Sequence, residues 1–544
     1  MIAGLLAAAV VIPHIDYWSI LPELILIGGA LVVLGVSSLF VEHVPTSFYS
    51  ASTVLISLAA LLASLRQWVQ IERHGPYAAI AQSISVDGFS VLFLILVCVV
   101  LVLSALLADG YLRREGAEGP EFYVLAMLSG SGAMLMAAAG DLIVIFLGLE
   151  ILSIALYVLA GMDARRNQSL EAAMKYFILG AFSSAIFVYG IALTYGATGS
   201  TNLAQIAAYL AHNPSPTSSL LLAGLGLLLV GFGFKVAAVP FHMWTPDVYQ
   251  GAPTPVTGFM ASVAKAGGFA GLLRVFFDSF STLRLSWEPM IWALAVVTLL
   301  TGAILALVQR DIKRMMAYSS INHAGFILLG LQAASVRGIE GSLYYLFAYA
   351  VIVVGTFGVI ALVGGKGDRS HDLNDYRGLG RRQPLLALAF AVLLMAQAGI
   401  PFTTGFLSKF YVIAAAVAAH SYALAVIAML SAAIAAFFYL RVIAVMYGGA
   451  GDGAPTTTAD VAAEIDAGAV EVHQALEQGA EADARVAVLT RRSEPVEVAV
   501  AASDRIEIPF ASAAAIAMSI GVTVVFGVWP QPLFDFAHAA RLLF

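Results

Sequence analysis

The chain holds a single cysteine, Cys98, among 544 residues. One thiol excludes a disulfide framework, and no Cys/His spacing suits a zinc or iron–sulfur site. No glycine-rich nucleotide fingerprint follows a strand pattern. Charge is scarce as well: Asp, Glu, Lys and Arg make up 11%, where a soluble domain carries about 25%. With 60% hydrophobic residues, so little polar surface excludes a water-solvated globule and leaves lipid as the main solvent. Lysine is the rarest cation. There are six, and Lys175, Lys235, Lys265 and Lys409 all lie inside apolar runs, as does Glu150. An ammonium group at the centre of a bilayer costs at least ~2.5 kcal/mol without a partner or water. Placing charges there repeatedly points to charge movement across the membrane.

What the sequence has in abundance is apolar segments near the ~20 residues that cross a bilayer as a helix. They fall at about 19–40, 48–70, 86–108, 121–139, 141–162, 170–196, 218–249, 255–278, 288–308, 313–334, 340–363, 384–419, 422–447 and 509–528. The pattern predicts an all-α polytopic membrane protein of about 14 transmembrane helices. The organisation expected is N-terminal helices over 1–120, a first repeat over 121–278, a second over 288–447, an acidic insertion over 448–508, and a last helix with the C-terminus over 509–544. The opening MIAGLLAAAVVIP is short and lacks a basic leader, so it reads as an extension rather than a cleaved signal.

Net charge is −7, but residues 448–508 hold twelve acids and four bases, so the remainder sits near +1. Basic residues orient a membrane protein. With the N-terminus outside, inner loops carry Arg113, Arg114, Arg165, Arg166, Arg310, Lys313, Arg314, Lys366, Arg369, Arg377, Arg381 and Arg382. Outer segments carry Arg66, Arg73, Arg284, Arg337 and Arg541. This predicts both termini outside, an even number of spans, and a cytoplasmic 448–508. The first half of that segment reads as a fraying surface helix or disorder, and RVAVLTRRSEPVEVAV as a small hairpin around Ser493–Pro495.

Two spans are too long for one straight crossing, and both contain helix breakers. GFGFKVAAVPFHMWTPDVYQGAPTPV (231–256) holds Pro240, which cannot donate a hydrogen bond and clashes with the preceding turn. AGIPFTTGFLSKF (398–410) holds Gly399, Pro401 and Gly405. Non-helical backbone at membrane depth survives inside protein or beside a water-filled cavity, and broken helices mark ion paths. The breaks lie ~160 residues apart, each with a lysine nearby, as two inverted five-helix repeats with one broken helix apiece would have. Lys235 and His242 are seven residues apart and share a face if the helix continues through the proline. Buried lysines change proton occupancy with their surroundings, and histidine titrates near neutrality. Against these readings stand snorkelling for Lys175, static ion pairs for Lys235, Lys265 and Glu150, and a satisfied core histidine for His323. Asp87 and Asp141 sit at helix starts, where capping explains them.

Taken together, LEAAMKYFILGAFSSA (170–185), GFGFKVAAVPFHMWTPDVYQGAPTPVTGFMASVAKAGGF (231–269), RDIKRMMAYSSINHAGF (310–326) and AGIPFTTGFLSKFYV (398–412) resemble the antiporter-like membrane subunits of respiratory complex I. The lysine in GFLSKF and the run DYRGLGRRQPLLAL (375–388) are most similar to the subunit N branch, which is expected to lack a long lateral helix after its last span. The chain departs from that pattern at Ala396 and Gln397, where Ser-Leu is typical, and in its long acidic insertion.

The resemblance implies the site residues. Glu150 and Lys175 would be the carboxylate–lysine pair of the first half and Lys235 the lysine of the broken helix. Lys265 would be the linking lysine, Lys409 the channel terminus, and His242 and His323 relay histidines. It implies an enzyme subunit that moves protons while other subunits reduce quinone. No cofactor is expected in this chain; FMN, iron–sulfur clusters and quinone belong to the partners. Those partners would be further membrane subunits in a bacterial plasma membrane. Breaking the Glu150–Lys175 pair would push a proton towards Lys235 and on through Lys265 to Lys409; unit charges ~4 Å apart interact by about 4 kcal/mol at an effective dielectric near 20. Two alternatives remain at this stage. A subunit of a multi-subunit Na⁺/H⁺ antiporter or membrane-bound hydrogenase would show Na⁺-dependent flux without quinone coupling. A non-conducting scaffold would tolerate loss of Lys235.

Overall fold

The computed structural model describes residues 15–40, 45, 47–213, 218–448, 506–540 and 542. The expected N-terminal extension and most of the acidic segment, with its hairpin around Ser493–Pro495, lie outside the described residues.

Each of the fourteen apolar segments is helical. In chain order come α1 (Leu21–Leu39), α2 (Ser47–His74), α3 (Gly88–Glu115), α4 (Glu121–Ala138), α5 (Leu142–Ala160), α6 (Asn167–Thr198), α7 (Leu203–His212), α8 (Ser219–Val236), α9 (Trp244–Gly251), α10 (Thr254–Phe259) and α11 (Lys265–Arg274). There follow α12 (Arg284–Leu307), α13 (Ile312–Gln332), α14 (Val336–Val363), α15 (Leu379–Arg382), α16 (Pro384–Ala398), α17 (Thr404–Ala418), α18 (Tyr422–Tyr447), α19 (Phe510–Val528) and α20 (Gln531–Ala539). A small antiparallel hairpin, β1 (Tyr77–Ala79) with β2 (Ile84–Val86), joins α2 to α3. Some helices outrun their apolar run. α3 continues to Glu115, carrying Arg113 and Arg114 on its last turn, until Gly116 adopts the left-handed conformation that ends it.

Both overlong spans break where proline and glycine predict. α8 stops at Val236, Ala237 turns left-handed at φ 61°, and helix resumes at Trp244. α16 stops at Ala398, Gly399 caps it at φ 89°, and α17 resumes once the Thr403 hydroxyl accepts from the Phe406 N–H. Between the breaks, α10 and α11 form one continuous span through a π-helical turn, Met260–Ala264.

The two halves repeat one packing scheme. α4 packs on α5 and α6 on the broken α8; in the second half α12 packs on α13 and α14 on the broken α17. Five crossings per repeat is an odd number, so the second repeat runs upside down relative to the first. The α10–α11 span and α14 are buried along their whole length, and α3 nearly so, whereas α1, α2, α6 and α19 bury about a third of theirs. Phe182, Leu62, Phe437 and Phe510 project outward as lipid- or neighbour-facing groups.

Hydrogen bonds tie alternate loops together at opposite ends. At one end, Asp368 of the 364–372 loop receives Arg166 before α6, Thr254 at the start of α10, and Lys313 on α13. At the other, Asn202 donates to Gln82 and Gly140, and Thr201 to Asp141. That end also holds a fully buried Arg274 clamped on Asp87 at 2.8 Å, with Asp278 at 3.4 Å. Asp87 and Asp141 do cap α3 and α5, and Asp87 is in addition the partner of Arg274.

Candidate functional site

Lys235 lies on the last turn of α8, 4% exposed. Its Nζ donates to Ser153 Oγ of α5 at 2.9 Å and to Tyr176 OH of α6 at 3.4 Å. Tyr176 is itself held flat against Trp244 of α9, ring centroids 4.5 Å apart. Glu150 sits one turn before Ser153 and accepts a short hydrogen bond from Ser184 of α6.

Glu150 and Lys175 are not paired. Lys175 Nζ lies 2.7 Å from both Glu171 and Asp247, and Asp247 also accepts from Arg314 at 2.7 Å. The reason is helical geometry. Tyr176 faces inward, so Lys175, one residue earlier, is rotated about 100° away. Ser184, which holds Glu150, lies nine residues further along α6, roughly 13 Å up its axis. Glu150 is placed instead beside the Lys235 end of α5.

His242 does not share a face with Lys235, because α8 ends before reaching it. It is half-buried in the turn ahead of α9, and its Nδ1 has no hydrogen-bond partner among the described residues.

Lys265 opens α11 directly after the π-turn and is 3% exposed. Gly268, one turn on, lets α11 rest against the Lys235 side chain, for a Cβ there would meet Lys235 Cγ at 3.0 Å. Lys265 Nζ donates to the Ser320 carbonyl of α13 at 2.5 Å and stands 5.7 Å over the Tyr349 ring. Tyr349 OH donates to Ser320 Oγ at 2.8 Å. One turn along α13, His323 Nδ1 is 2.6 Å from Tyr345 OH and Nε2 is 3.1 Å from Tyr439 OH. Tyr439 makes a short hydrogen bond with Ser319, and both face Gln397 Oε1 at 3.4 Å. Lys409, buried on α17, donates to the Gln397 and Ala398 carbonyls at 2.8 Å each, the free C-terminal oxygens of α16.

Lys235, Lys265 and Lys409 therefore share one chemical setting. Each is buried, each donates to hydroxyl or carbonyl oxygen, and none has a carboxylate in ion-pair range among the described residues. Hydroxyls both donate and accept, so a group that solvates an ammonium also has the donor and acceptor a proton relay needs. The residues that sequence reasoning missed are these partners: Ser153, Tyr176, Ser319, Ser320, Tyr345, Tyr349, Gln397 and Tyr439. Three signals were present, namely Ser319–Ser320 one turn ahead of His323, Tyr345 and Tyr349 four apart on one helix face, and the departure at Gln397.

Two polar clefts open near the Arg166 end, of about 660 and 240 Å³; both are lined by Gln168 and Gln250, and the smaller reaches Lys175, Asp247 and Arg314. Beside them Asp368 is held well below the usual carboxylate range: burial raises it, but Lys313, His371 and Thr254 outweigh that. No grouping of three His, Cys, Asp or Glu side chains fit for a metal occurs among the described residues.

Two broken helices, inverted repeats and buried amines strung between them define an antiporter-like membrane protein. Residues 139–435 match the family described as NADH:quinone oxidoreductase/Mrp antiporter, TM. The NADH-quinone oxidoreductase subunit N of Trichlorobacter lovleyi is 43% identical over 79% of this chain and 87% of its own length. That of Parafrankia sp. is 42% identical over 80% and 86%. A chain of respiratory complex I from Thermus thermophilus superposes with TM-score 0.73 at 31% identity, over 96% of this chain and all of that one. A chain of the Mrp complex from Dietzia sp., 21% identical with TM-score 0.77 over 96% of each chain, shares the fold. The chain belongs to the NADH:quinone oxidoreductase/Mrp antiporter family of membrane subunits.

Proposed function

We propose that this chain is the subunit N type of proton-translocating membrane subunit in an NADH:quinone oxidoreductase. Electron transfer belongs to partner subunits that carry FMN, iron–sulfur clusters and quinone; this chain contributes proton movement and no redox step. The observation that carries the reading is the row Lys235, Lys265, His323 and Lys409, buried and held by hydroxyl and carbonyl oxygens rather than neutralised by acids.

A proton reaches Lys175 from the polar clefts, where Asp247 and Glu171 stabilise its charge. Glu150, beside Ser153, favours a cation at Lys235. Once Lys235 is charged, repulsion between neighbouring ammonium groups favours onward release through Lys265 and the His323 cluster to Lys409. His242 stands apart from this row. The arginine-rich Asp368 end faces the cytoplasm and the Arg274 end faces outward, in accord with the basic-residue bias.

The test is Lys235→Ala in the intact membrane complex, with NADH oxidation and acidification of inverted vesicles followed together. Fewer protons moved per quinone reduced, in a complex that still assembles, is the expected result; an unchanged ratio overturns the reading. For the orientation, Lys366→Cys is expected to react with an impermeant thiol reagent from the cytoplasmic side and Arg284→Cys from the outside.

A further inference from the structure

The Gln397 amide lies inside the His323 cluster, 1% exposed. Its orientation is fixed by Thr356. The Thr356 hydroxyl gives its proton to the Ile352 carbonyl at 2.8 Å, so at 2.7 Å it can only accept from Gln397 Nε2. Gln397 therefore presents Oε1, a pure acceptor, to Ser319 and Tyr439.

The hydroxyl protons around His323 fix its tautomer. Ser319 and Tyr439 own two hydroxyl protons, and their mutual hydrogen bond uses one. The spare proton goes either to Gln397 Oε1 or to His323 Nε2. If it goes to Gln397, Nε2 carries the ring proton and donates to Tyr439, and Tyr345 donates to Nδ1; every group is satisfied. If it goes to Nε2, Nδ1 carries the ring proton. Gln397 Oε1 then lacks a donor and the Tyr345 hydroxyl proton lacks an acceptor, since Nδ1 is the sole hydrogen-bond partner of Tyr345 OH among the described residues. Two buried orphans against none is a large bias.

We infer that Gln397 is a positioning residue that holds neutral His323 as its Nε2–H tautomer. The lone pair open to an incoming proton is then Nδ1, on the Tyr345 side, and the proton released is the one on Nε2, towards Tyr439 and Gln397, whose carbonyl binds Lys409. Gln397 thereby sets which ring nitrogen takes up a proton first. The inference rests on the proton-carrying reading for its use, but not for its test.

The test is solid-state NMR of the full chain in lipid, ¹⁵N-labelled at histidine, with the His323 signals identified by their loss in His323→Gln. Wild type is expected to show the Nε2–H form alone. Gln397→Leu removes the amide acceptor and leaves the Lys409 carbonyls in place. Each tautomer then has one orphaned hydroxyl proton, so the two forms are expected within about threefold of each other. Thr356→Val, which frees the amide without deleting it, is expected to shift the populations the same way by less, and it carries the test if Gln397→Leu does not fold. A wild-type Nδ1–H form, a wild-type mixture, or a tautomer unmoved by both variants overturns the inference. These spectra read the ring whether or not protons cross, so failure here is separable from failure of the Lys235→Ala experiment.

Discussion

Lys235 illustrates what a single residue requires at membrane depth. Its ammonium has one good acceptor, Ser153 at 2.9 Å, and one long one, Tyr176 at 3.4 Å. Hydrogen bonds to a charged group are worth about 1.5–3 kcal/mol, so Ser153→Ala makes the charged form costlier by roughly that amount while sparing the amine. Proton transport per quinone reduced is expected to fall in Ser153→Ala, but less than in Lys235→Ala, measured in the same vesicle assay. Tyr439→Phe is the second test at this scale. It removes the hydroxyl shared by His323 and Ser319, leaves buried donors unmatched, and is expected to lower thermal stability by ~1–3 kcal/mol. The lysines stood out in the sequence because a cation deep in an apolar run is costly and rare. Their partners did not, because serine and tyrosine are ordinary in membrane helices and only the fold says which of them face inward. Lys175 stood out in the sequence, but its partner did not: Asp247, 72 residues away, reaches it only because α9 returns against α6.

The broken helices are the elements that bring these residues together. α17 starts hard against the end of α16, and a Cβ on Gly405 would fall on the Ala396 carbonyl. Gly405→Ala is therefore expected to push α17 away, shift Lys409 off the Gln397 and Ala398 oxygens, and destabilise the chain by ~1–3 kcal/mol. Lower thermal stability together with reduced transport would be the readout. Long apolar runs made the spans legible, and proline and glycine made the breaks legible. α7 and the β1–β2 hairpin were not, since short elements at the membrane edge carry neither a twenty-residue run nor a breaker. The failed alignment of Lys235 with His242 has the same root: a face continues only as far as its helix, and α8 ends one residue after Lys235.

For the molecule as a whole, Asp368 is the tie between repeats. It gathers Arg166 and Thr254 of the first and Lys313 of the second. Removing one side of a buried ion pair costs ~3–5 kcal/mol, so Asp368→Asn is expected to lower the Tm of the purified chain sharply at neutral pH. Because the folded carboxylate titrates well below its ordinary range, its contribution is fully present above the unfolded value near 4 and disappears as pH falls through the folded value. Wild-type Tm is expected to drop on acidification below about pH 4, and Asp368→Asn to flatten that limb. Charge bias in the loops disclosed which of them share an end, though not that one aspartate would join three. The contrast between the first and last lysines reaches further. Lys175 leans on two carboxylates, each a single codon away from loss, whereas Lys409 leans on main-chain oxygen that every amino acid supplies. Neighbouring positions can drift over generations without stranding Lys409, while Lys175 has no such insurance.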